Sequence, residues 1–173
     1  MTDDIAEFFQ HLNGAAYVIG VAHEGRHDIF AAASVMLASR RPPSFAVSID
    51  RRHASYPLLR AGRVFSISVM RKSRPEIAHR FGAGIGRPLR VPDGVAWHFG
   101  RAGAPVPDEG VLASFECEMT AMMAAGDHQI MLGKIVNSHI VEAAGARVGA
   151  SQESLGARTG RNERARLEAS GAS

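Results

Sequence analysis

A chain of 173 residues with 46% apolar and 21% charged residues has the length and composition of one globular domain with a real hydrophobic core. The formal net charge is only +3 and aromatics make up 6%, with basic residues scattered apart from the doublets Arg40-Arg41 and Arg51-Arg52, so a nucleic-acid partner is not expected. No apolar run reaches bilayer length, the start Met1-Thr2-Asp3-Asp4 is acidic where a secretory leader is basic, and the single Cys117 excludes an internal disulfide framework; the expectation is a cytoplasmic protein with no membrane association.

In chain order, Asp3 or Asp4 caps a first helix whose Ile5, Phe8, Phe9 and Leu12 share one face, and Asn13-Gly14 ends it. Residues 15–22 read as a buried strand, followed by the turn-prone Glu24-Gly25-Arg26. A second strand is predicted over 28–37, and Pro42-Pro43 halts a ladder there. Residues 45–50 and 64–70 are further β-rich runs; between them Ser55 caps a short helix through Leu59, with Gly62 just beyond its end. Ser73-Arg74-Pro75-Glu76 is a capping-box pattern opening a helix with Ile77, Ala78 and Phe81 that stops at Gly82. Residues 82–110 form a long loop rich in glycine and proline, with Trp97 in its middle.

The last β portion runs from about 112 to 141, and in 128–136 both faces carry apolar residues. That suits a strand covered by core on one side and by another subunit on the other, hence a homodimer. From Gly145 onward Gly, Ala, Ser and Arg dominate, giving a domain over 1–144 and a flexible or partner-packed tail over 145–173. Many short strands, few helices and glycine-rich turns predict an antiparallel barrel or sandwich.

His23-Glu24-Gly25-Arg26-His27 matches the zinc-peptidase pattern H-E-x-x-H. That chemistry needs both histidines on one helix face, whereas here a glycine sits inside the motif and strands flank it. A turn between strands is the better reading, and no metal is expected. His11, His53, His79, His98 and His139 show no ligand spacing. Neither a P-loop nor a dinucleotide fingerprint is present, so a nicotinamide nucleotide would bind without a Rossmann domain.

A series of landmarks remains, in a fixed order. Phe30 to Ser39 is a run of small and apolar residues leading to Pro42-Pro43. Phe65-Ser66-Ile67-Ser68-Val69 follows, then Ala78-His79-Arg80-Phe81, Trp97 and Gly103-Ala104-Pro105. Gly126-Asp127-His128 lies between Phe115-Glu116-Cys117-Glu118-Met119 and the run from Ile130 to Val136, with Gly133 inside it. This order, over roughly residues 8–141, resembles the short-chain NAD(P)H:flavin oxidoreductase family, the reductase component of two-component flavin-dependent monooxygenases. The resemblance implies a mainly β fold, the antiparallel, Greek-key-like FMN-binding split β-barrel with a few short helices, usually as a homodimer. It implies hydride transfer from NADH or NADPH to FMN or FAD, with reduced flavin passed to a partner monooxygenase.

The resemblance also implies a site. His128 would lie beside the flavin ring where the nicotinamide docks and serve catalysis. Ala31, Ala32, Ala33 and Ser34 would let backbone N–H and C=O groups reach and bond the isoalloxazine edge, while hydride transfer stacks the two rings at about 3–3.5 Å. Ser48, Asp50, Arg52 and Ser55 would complete the flavin site, Ser55 with Arg51 and Arg52 holding the phosphate. Phe81 would touch the flavin if its helix end faces the site. The chain departs from the family at Ala31, Ala33 and Leu37, where hydroxyl residues are common, at Arg40-Arg41, and in lacking an aromatic closing segment. Those departures are what a non-catalytic flavin-binding module of the same fold would show.

Overall fold

The computed structural model describes residues 17–71, 80–82, 89 and 91–141. The expected first helix, the capping box at Ser73 and the tail lie outside these residues. The chain divides into two units, Met1–Val141 and Glu142–Ser173, and everything below concerns the first.

Seven antiparallel strands make the main sheet: β1 (Tyr17–His23), β2 (Arg26–Ala32), β3 (Val35–Arg40), β4 (Pro43–Asp50), β5 (Val64–Met70), β8 (Val111–Ala125) and β9 (His128–Ile140). Their spatial order is β2-β1-β5-β8-β9-β4-β3. Strands β2 and β3 therefore occupy opposite edges, yet only Ala33 and Ser34 separate them in sequence. Three residues of chain span at most about 11 Å, so the sheet must curl until its edges approach. On one side of the link the Ala31 N–H donates to the Gly82 carbonyl at 2.9 Å, and on the other the Ser48 N–H donates to the Ser34 carbonyl at 2.9 Å. A curled antiparallel sheet with its edges held this way is a split barrel, the fold the resemblance implies.

This geometry corrects the expectation of one strand over 28–37. Ladder pairing changes partner at Ala33-Ser34, because β2 pairs with β1 and β3 with β4. A run of small residues looks continuous in sequence while the chain passes from one edge to the other.

Inside the curl, Ile19, Val21, Phe30, Val47, Ile49, Phe65, Ile67, Cys117, Met119 and Met131 pack with Leu58 and Leu59 of the one described helix, α1 (Tyr56–Gly62). Burial on both faces of β1 explains its unbroken apolar run. Ile19 and Val21 face this core, while Val18 joins a second cluster with Ile29, Met70, Phe81, Val95 and Val111. The stretch expected as loop also carries structure: β6 (Trp97–Phe99) and β7 (Pro105–Pro107) form a two-stranded ladder. The Ser66 hydroxyl donates to the Pro105 carbonyl at 2.5 Å, holding that ladder against β5. His27 packs on Trp97 with ring centroids 4.8 Å apart, a contact periodicity cannot reveal.

Gly133 marks the tightest approach in the core. A Cβ there would lie 2.4 Å from Phe65 Cζ and 2.8 Å from Cys117 Cβ. Glycine is required because the Phe65 ring occupies the space a side chain would need.

Candidate functional site

The turn joining β8 to β9 is two residues long, with Ala125 paired to His128 across it. Gly126 has φ 59°, in the left-handed region that a tight hairpin demands and glycine adopts without cost. His128 begins β9 directly opposite Asp50, the last residue of β4. Because Val47 and Ile49 point into the core, Ser48 and Asp50 lie on the outer face of β4. Met131 points inward on β9, so His128 and Ile130 share that outer face, across from Asp50 and Ser48. The Ser34 carbonyl bonded to the Ser48 N–H brings the Ala33-Ser34 link to the same region. Ala31 and Ala32 are half-buried, and Ala33 and Ser34 are exposed.

Charge is concentrated where β4 ends. The buried Asp50 carboxylate accepts from the Arg52 backbone N–H at 2.8 Å and from the guanidinium through Nε at 3.1 Å and Nη2 at 2.6 Å. The Arg52 side-chain bonds, then its backbone N–H, hold the carboxyl well below the usual carboxylate range. Arg52 in turn is pushed above its ordinary value, first by its bond to Asp50. Its side chain is 74% exposed and a guanidinium carries five N–H donors, so donors remain for an external anion.

Arg51 points the other way. Its backbone N–H donates to the Asp127 carbonyl at 3.2 Å, and Nη2 donates to the carbonyls of Gly126 at 2.7 Å and His128 at 3.4 Å. The His128 ring is oriented by Asp127, whose Oδ1 lies 2.7 Å from Nδ1. A carboxylate acceptor places the proton on Nδ1 and leaves Nε2 as the outward nitrogen. The same bond lowers the Asp127 carboxyl below its ordinary value.

Two other expected site residues are buried. Ser55 is fully buried, and its hydroxyl donates to the buried Asp28 carboxylate. It occupies the N-cap position of α1 without making a capping bond, and Arg63, at φ 55°, takes the left-handed position past the helix end where Gly62 was expected. The second helical residue, Pro57, has no N–H to cap, and the buried Asp28 carboxylate takes the hydroxyl instead. Phe81 is 1% exposed, within the second core cluster.

The H-E-x-x-H run is a hairpin. Glu24 and Gly25 form the turn at φ 49° and 75°, His23 ends β1, and His27 lies on β2. Among the described residues no three His, Cys, Asp or Glu side chains are grouped to hold a metal ion. A cleft of about 360 Å³ lies where β6 faces β8 and β9. Its buried Glu116 accepts from the N–H groups of Arg101 and Ala102 at 3.0 and 2.6 Å and from Asn137 at 2.7 Å. Asn137 is nine strand residues from His128, on the order of 30 Å, so this cleft is separate from the His128 cluster.

His128, Asp50 and Arg52, expected from the sequence as site residues, lie together here, and two connections around them carry no expectation from the sequence. The Asp127–His128 pair was open to discovery, since the residues are adjacent. The Arg51 contact joins positions 75 apart and leaves no local signal.

Residues 9–160 match the flavin reductase like domain. The chain is 28% identical over 107 residues to an FMN reductase (NADH) of Rhizobium rhizogenes, covering 62% of this chain and 61% of that protein. It is 29% identical over 104 residues to the reductase component of a 4-hydroxyphenylacetate 3-monooxygenase from Thermus thermophilus, covering 60% and 62%. The aligned part thus spans about three fifths of each of these relatives. The fold superposes with a TM-score of 0.71 on an NADH:FAD oxidoreductase of Streptomyces globisporus, at 24% identity, over 80% of this chain and 84% of that one.

Proposed function

The chain belongs to the flavin reductase like domain family, and on that premise we propose that it is an NAD(P)H-dependent flavin oxidoreductase taking FMN or FAD. The observation that carries this reading is the meeting, where β4 ends and β9 begins, of the Asp50–Arg52 pair with the oriented His128, beside the low-bulk Ala33-Ser34 link bonded to Ser48. The residues fit a flavin: exposed backbone without large side chains suits the edge of a flat ring, and cationic donors suit a phosphate. Flavin, when bound, supplies the two-electron chemistry.

The chain's own residues supply position and charge. Ala31 to Ser34, with Ser48, line the edge of the site. Arg52, neutralised in part by Asp50, presents its remaining donors to the phosphate. Ser55 serves from beneath, anchoring the loop after β4 to Asp28 on β2. His128, with Nδ1 fixed on Asp127, offers Nε2 to the nicotinamide side of the site. Phe81 supports β1 and β2 from the second cluster.

A homodimer and a partner monooxygenase complete the proposal. Met36 is 62%, Leu37 50% and Met123 61% exposed, apolar surface that a second copy would cover. The reduced flavin would leave for the oxygenase. No helix among the described residues is long and apolar enough to cross a membrane, and we place the protein in the cytoplasm, with residues 1–144 as the catalytic domain and 145–173 as its tail.

Oxidation of NADH and NADPH by the purified protein in air, with and without FMN or FAD, tests the reading. Flavin-dependent turnover is the expected result. Flavin binding without turnover would replace it with a non-catalytic module, for which the missing hydroxyls at Ala31, Ala33 and Leu37 already argue.

A further inference from the structure

We propose that Arg51 is a positioning residue that couples the loop following β4 to the turn carrying His128, so that flavin and nicotinamide nucleotide bind cooperatively; this rests on the reductase reading above. The ladder between β4 and β9 ends at the Asp50–His128 pair. Beyond it the turn has no strand beside it on that edge, and Gly126 and Asp127 are both exposed. Arg51 continues the junction across the gap. Its backbone N–H meets the Asp127 carbonyl, and its guanidinium meets the carbonyls of Gly126 and His128, so both turn residues and the first residue of β9 are tied to Arg51.

The neighbouring residues fix this direction. Asp50 and Arg52 close on each other on either side of Arg51, which holds the loop in a single path. A phosphate drawn to Arg52 pulls on the same loop, and through Arg51 that pull is passed to the turn and the Asp127–His128 pair. Coupling of this kind is reciprocal: whatever factor flavin adds to nucleotide affinity, the nucleotide adds to flavin affinity. A planar guanidinium can serve two carbonyls at once, whereas a lysine ammonium meets them as a point charge and retains part of the tie.

The test is equilibrium binding of NAD+, which cannot reduce flavin, with and without saturating oxidised FMN, in the wild type, Arg51→Ala and Arg51→Lys. FMN should tighten NAD+ binding several-fold in the wild type, by about an order of magnitude at most. Arg51→Ala should bring that ratio close to one with the melting temperature held, and Arg51→Lys should restore part of it. An undiminished ratio in Arg51→Ala, or no coupling in a wild type that binds FMN and turns over, overturns the proposal and leaves the reductase reading standing. Failure of the wild type to bind either FMN or FAD overturns both.

Discussion

Replacing Gly133 by alanine is a sharp test of the packing that supports the site. The added methyl would lie 2.4 and 2.7 Å from Phe65 Cζ and Cε1 and 2.8 Å from Cys117 Cβ, and both neighbours are fully buried. Neither is the loose end of a flexible chain, so a ring or a strand must move. Overpacking of this kind costs about 1–3 kcal/mol, while relief of glycine's conformational entropy returns about 0.5–1 kcal/mol. Taking the middle of each range, the net loss is about 1.3 kcal/mol, a fall of about 3–5 °C in melting temperature for a chain of this size. Thermal unfolding followed by circular dichroism measures it. Combining Gly133→Ala with Phe65→Leu, which removes the ring carbons closest to the new methyl, should recover part of the loss, with a coupling of about 1 kcal/mol. A Gly133→Ala protein that melts with the wild type, or a double mutant whose losses simply add, would refute this account of the glycine.

Three further outcomes follow from the site. His128→Ala should lower turnover roughly a hundredfold and change FMN affinity by less than about threefold; unaltered turnover in steady-state assays removes His128 from the chemistry. Ala33→Leu, at an exposed position, should fold normally and weaken FMN binding by about tenfold or more, or about 1.4 kcal/mol, and fluorescence titration showing unchanged affinity would move the flavin edge elsewhere. Asp50 and Asp127 are both held below their ordinary values by hydrogen bonds present in the folded protein. Their contribution to stability is therefore complete above the unfolded pKa, about 3.9, and lost as pH falls towards the folded values. The wild type should lose melting temperature more steeply below about pH 4 than Asp50→Asn; equal slopes would deny the Asp50–Arg52 pair that role.

The sequence was most legible where one local pattern determines the outcome. The strand predicted over 64–70 matches β5, because inward Phe65 and Ile67 alternate with Ser66 and Ser68. The hairpin at Glu24-Gly25 was legible because its residue types dictate the turn. The division at Ala33-Ser34 was not, since alanine and serine carry no signal for a change of strand partner. Trp97 was assigned to a loop because β6 and β7 are three residues each, too short for periodicity. Ser55 was legible as a helix start, but its hydroxyl answers to Asp28, 27 residues away. The site followed the same division. His128 was marked by its turn, while the Arg51 contact across 75 residues exists only once β4 and β9 pair.

A crystal structure of the protein grown with FMN tests the central claim most directly. The account predicts the isoalloxazine edge against Ala31 to Ser34, the phosphate at Arg52, and His128 within reach of the ring. A flavin seated instead in the cleft above Glu116, with the outer face of β4 and β9 vacant, would contradict it.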